Sequence, residues 1–128
     1  MQFASESGEL NVPKQKLPNR RQGFTLQFQT PARLGKSPSS YTATLNYDEH
    51  NTLKEVFLSS GKVGGDIGIL LYELSVFISY CLRHGAKIEE IKGALPRADD
   101  GSAEGPAGTL LDRLAEEMAK DAEKELLS

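Results

Sequence analysis

What this chain has little of narrows what it can do. Its 128 residues include one cysteine, Cys81, two histidines and no tryptophan. A lone cysteine excludes an internal disulfide framework, and two histidines are too few for a dedicated Cys/His zinc site. Both points suit a reducing, cytoplasmic setting, and no cofactor or metal is expected. No basic-then-apolar leader pattern is found in the first residues. The longest apolar stretch is broken by Glu73, Ser75 and Ser79, so no membrane partner is expected. No repeat of solenoid length recurs.

The composition that remains is that of one small soluble domain: 38% hydrophobic, 26% charged and a net charge of −3. The charge is unevenly spread. Residues 1–40 carry six basic side chains against two acidic ones, whereas residues 98–128 carry three basic against nine acidic. One end could meet anions that the other repels, or both could be solvated ends that serve solubility.

Residues 1–18, with Pro13 and Pro18, lack periodicity and read as an arm. Phe24, Leu26 and Phe28 then alternate with polar residues, as do Tyr41, Ala43, Leu45 and Tyr47, predicting two half-buried strands. Leu53 to Ser59 predicts a third, joined to the second by a hairpin at Asp48 to Thr52. Asp66 to His84 is apolar around nearly its whole girth and predicts a helix, with Asp66 as its cap and Gly85 as its left-handed terminator. Lys87 to Leu95 predicts a second helix, ended by Pro96. Arg97 to Gly108 reads as an acidic, Gly-rich loop. A third helix follows, capped by Thr109 with Asp112 and striped by Leu110, Leu111, Leu114 and Met118, and it should fray past Met118 where residues 119–128 become mostly charged. The expected fold class is α+β: a three-stranded antiparallel sheet, a long central hydrophobic helix and two further helices, with the domain over residues 19–118. Three strands cannot surround a helix that is apolar on all sides, so a homo-oligomer is expected.

No nucleophile can be paired with a base, and no catalytic residue is expected. Cys81 lies on the apolar stripe, where burial raises a thiol pKa and makes it inert. His84 sits where a protonated imidazole would meet the helix's terminal carbonyls, and His50 falls in a turn. Glu73 either pairs with a cation or opens onto a polar face. Gly61, Lys62, Val63, Gly64 and Gly65 precede the long helix, so its free amides could hold an anion with help from Lys62. A turn needing positive φ explains the same glycines. Arg20 and Arg21 could contact phosphates, or bridge to the acidic C-terminal helix.

In order along the chain, Leu17 to Arg21, Gly61 to Gly64, His84–Gly85, Glu89 to Ile91, Leu95, Gly105 to Gly108 and Leu111–Asp112 resemble the TSCPD domain. This domain occurs near the C-terminal end of vitamin B12-dependent ribonucleotide reductases and as short stand-alone proteins. The resemblance covers about residues 17 to 115 and implies an accessory or regulatory role beside ribonucleotide reduction. It does not imply activity alone, since that reaction needs a radical cofactor and several cysteines. The binding residues it and the charge pattern suggest are Asn19, Arg20, Arg21, Lys62, Gly64 and Gly65. They would serve a protein partner such as the reductase, or a phosphorylated ligand such as a nucleotide. The alternative is a dimeric, nucleic-acid-associated interaction protein that uses the basic arm.

Overall fold

The computed structural model describes residues 23–31, 39–61 and 65–127. Its element order is β1 (Gly23–Gln29), β2 (Ser40–Tyr47), β3 (Leu53–Ser59), α1 (Gly65–Arg83), α2 (Ile88–Ala94) and α3 (Pro106–Leu127). The strands form an antiparallel meander in the order β1-β2-β3, with Phe24 opposite Leu45 and Leu45 opposite Val56. This is the expected α+β arrangement. Asp48 closes the β2–β3 hairpin: its Oδ1 accepts from the amides of His50 and Thr52, both at 2.9 Å, while Asn51 takes the left-handed conformation at φ 62°.

Alternation in the strands supplies the sheet's core face, where Phe28, Ala43, Leu45, Val56 and Leu58 are buried. Helix α1 lies against β3, and the contact is partly polar. Ser79 Oγ accepts from the Val56 amide at 3.0 Å and donates to the Val56 carbonyl at 3.1 Å. Ser75 Oγ accepts from the Leu58 amide at 2.9 Å and donates to Leu71 O in its own helix at 2.7 Å. Two positions four apart on a helix rise about 6 Å and two positions two apart on a strand about 6.6 Å, so one serine meets each strand residue whose backbone groups point off the sheet's edge. β3 is an edge strand, and the serines satisfy backbone groups that an edge otherwise leaves open. The breaks in the apolar run of α1 are therefore its attachment points.

The end of α1 follows the sequence reading. Gly85, at φ 97°, donates to Leu82 O at 3.2 Å and Ala86 donates to Cys81 O at 2.9 Å, the paired bonds of a Schellman terminator. Helix α2 opens with the Lys87 amide donating to the Glu90 carboxylate at 2.9 Å. Helix α3 departs from expectation. It begins at Pro106, whose missing N–H suits a first turn, and Thr109 lies within the helix, its hydroxyl donating to Gly105 O at 2.8 Å. The Thr109–Asp112 cap is thus not formed. Helix α3 also runs to Leu127, beyond the expected fraying point at Met118. Leu110, Leu111 and Leu114 fill the core, whereas Met118 is exposed.

Candidate functional site

Of the binding residues expected from sequence, Asn19, Arg20, Arg21, Lys62 and Gly64 lie outside the described residues. Gly65 opens α1 at φ 78°, exposed, as the positive-φ turn reading of that glycine run requires.

The described residues that could carry chemistry are engaged structurally. Cys81 is half-buried and burial pushes its thiol up, so it stays protonated near neutral pH. The His84 ring stacks on Tyr80 with centroids 4.2 Å apart, and its Nδ1 lies 3.1 Å from the Tyr80 carbonyl. His50 is exposed in the hairpin turn beside Glu49. Among the described residues, no group of three or more His, Cys, Asp or Glu side chains could hold a metal ion.

Two ion-pair clusters tie elements together. Asp112 on α3 takes a two-pronged contact from Arg97, Nη1 to Oδ2 at 2.6 Å and Nη2 to Oδ1 at 2.8 Å, while Lys92 Nζ reaches Oδ1 at 3.3 Å. Arg97 also donates to the carbonyls of Lys92 and Gly101, pinning the end of α2 and the following loop to α3. The Arg97 bond holds the Asp112 carboxyl below its ordinary range, with Lys92 adding to it and partial burial opposing it. On the other side, Glu55 on β3 receives Asn46 Nδ2 at 3.0 Å and Arg83 Nη1 at 3.2 Å. Asp112, first read as a helix cap, is instead the anchor of a tertiary clamp. Arg97 and Lys92 gave no sequence signal, because residues 15 and 20 positions away are not local neighbours.

Two surface features remain, a cleft and an apolar helix face. The first is a cleft of about 520 Å³ bounded by the hairpin end of the sheet, the end of α1, the start of α2 and α3. Phe24 and Tyr47 form an aromatic wall, edge to face at 5.6 Å. Lys54 and Lys87 lie on the lining with the carboxylates Glu89, Glu117 and Asp121. Burial, and secondarily the nearby Glu117, raises the Tyr47 hydroxyl pKa, so the wall stays neutral. The second feature is the outward face of α1, where Phe77 is 68% and Leu70 62% exposed. By length and composition α1 would suffice to cross a membrane, yet only 28% of that stretch is buried here. Glu73 opens outward onto this face, which is apolar rather than polar.

A meander sheet edged by a serine-docked helix, with paired charges used as clamps and an open cleft beside the hairpin, is a small α+β domain. The chain belongs to the TSCPD domain family, whose match covers residues 11–122. That span extends beyond the resemblance read from residues 17 to 115, and membership supports an accessory domain associated with ribonucleotide reductase. No curated protein and no solved structure matches the chain.

Proposed function

We propose that this chain is a non-catalytic accessory domain of ribonucleotide reduction that binds a phosphorylated ligand of the nucleotide class and serves the reductase as its protein partner. The cleft is the observation that carries this reading. Its volume of about 520 Å³ suits a small organic ligand. Phe24, 52% exposed, offers a face on which a base can stack. Lys54 and Lys87 offer charge to phosphate, and the three carboxylates can accept from sugar hydroxyls. Arg20 and Arg21 shortly precede the strand that carries Phe24, so those expected phosphate contacts adjoin the cleft's aromatic wall in sequence, whereas Lys62 and Gly64 precede the start of α1, the end of that helix that does not line the cleft.

Thermal shift and calorimetric titration with nucleoside di- and triphosphates test the reading. Binding is expected, weakened at least about tenfold by Lys54→Ala with Lys87→Ala and by Arg20→Ala with Arg21→Ala, while the unliganded melting temperature changes little. No shift with any nucleotide, or turnover of a substrate by the purified chain alone, would overturn it. Salt-sensitive retention on polynucleotides without nucleotide binding would favour the nucleic-acid alternative.

A further inference from the structure

The outward face of α1 is explained neither by the core nor by the cleft. We propose that two copies of this chain pair through it, α1 against α1, antiparallel about a two-fold axis beside Val76 and Phe77.

Area is the first argument. Ile67, Ile69, Leu70, Tyr72, Val76 and Phe77 are each at least 45% exposed. Six such side chains expose on the order of 600–700 Å² per copy, above what a monomer ordinarily leaves in one apolar patch. The second argument is spacing. At 100° per residue Ile69 and Val76 make one ridge, Leu70 and Phe77 a second, and Asp66, Glu73 and Tyr80 run along the line between them. A seven-residue repeat keeps a stripe turned toward a second helix, and a ridged, convex face packs into the grooves of another helix.

Charge sets the direction. Glu73 is exposed at the middle of the face and has no ion-pair partner among the described residues. A parallel pair would lay it on the second copy's Glu73, placing two carboxylates in an apolar seam, where like charges repel most strongly. An antiparallel pair centred on residue 73 does the same. Centring on Val76 and Phe77 sets Glu73 opposite the second copy's Tyr80, one turn from its His84, so the carboxylate meets the polar edges of that ring stack. Asp66 and the second copy's Asp66 then lie at opposite ends, away from each other.

Sedimentation equilibrium of the full chain at micromolar concentration is expected to give a dimer. Phe77→Glu, and independently Leu70→Lys, should raise its dissociation constant at least about a hundredfold with far-ultraviolet circular dichroism unchanged, since both side chains already face solvent. With Cys81→Ser removing the native thiol, nitroxides attached at Asp66→Cys should stand about 30 Å apart in the antiparallel pair and about 10 Å apart in a parallel one, from the 1.5 Å helical rise. A monomer, a dimer that survives both substitutions, or the short distance would overturn the proposal. So would a monomer that floats with anionic phospholipid vesicles, because the face would then belong to lipid. Nucleotide titration of the monomeric variants reads the cleft separately, so either conclusion can fail alone.

Discussion

At the scale of single residues, buried hydroxyls matter more here than the reactive-looking groups. Ser75 and Ser79 satisfy the amides of Leu58 and Val56 in a buried setting. Replacing either by alanine removes the partner and leaves a buried amide unpaired, at a cost of about 1–3 kcal/mol. Urea denaturation of Ser75→Ala and Ser79→Ala is expected to show that loss, and combined losses short of additive would indicate a helix that has shifted along the strand. Asp112 behaves differently, because its partners are only partly shielded. Its folded pKa is depressed, so its contribution is present above the ordinary carboxylate pKa and is lost as pH falls through the lowered folded value. Acid titration of stability should therefore show a component vanishing below about pH 4 that Asp112→Asn lacks. At neutral pH the same substitution should lower stability, because Asn keeps only one acceptor for the two-pronged contact with Arg97.

At the scale of elements, α1 carries two opposed faces with opposite mutational sensitivity. Ile78 and Leu82 are buried, and truncating Ile78 to alanine should cost about 2–5 kcal/mol through lost burial and a residual cavity. Phe77, its immediate neighbour, should tolerate alanine within roughly 1 kcal/mol when stability is measured at dilutions where the chain is a monomer. Chemical denaturation of the two variants side by side tests this contrast. The terminator is similarly specific: Gly85→Ala forces a side chain into φ 97° and is expected to cost about 1 kcal/mol. The helix was legible from Asp66 to His84 because apolar residues recur there at helical spacing and a glycine closes it. Its polarity was misread, since Ser75 and Ser79 look like interruptions until a strand edge is placed beside them. The start of α3 was misplaced for a related reason. Thr109 and Asp112 have capping spacing, but Pro106 already occupies the first turn and Asp112 is drawn to Arg97.

At the scale of the whole molecule, a pair formed through α1 would make the melting temperature rise with protein concentration, and Phe77→Glu should flatten that dependence. Differential scanning fluorimetry over a hundredfold dilution series reads it directly. The β2–β3 hairpin end, α2 and α3 frame the cleft, which the six outward α1 side chains do not line, so substitutions on that face test the pair without altering the cleft's lining.

Local pattern alone determined the three strands, the existence of all three helices and the left-handed terminator at Gly85, because period-two and helical apolar spacing and turn chemistry act between near neighbours. The ordered motifs also sufficed for the family. Only the tertiary structure decided that serines fasten α1 to the edge of the sheet, that Asp112 answers Arg97, and which side of α1 faces water. Those outcomes depend on backbone groups and side chains brought together from 15 to 23 residues apart, a separation at which one-dimensional spacing holds no geometric information.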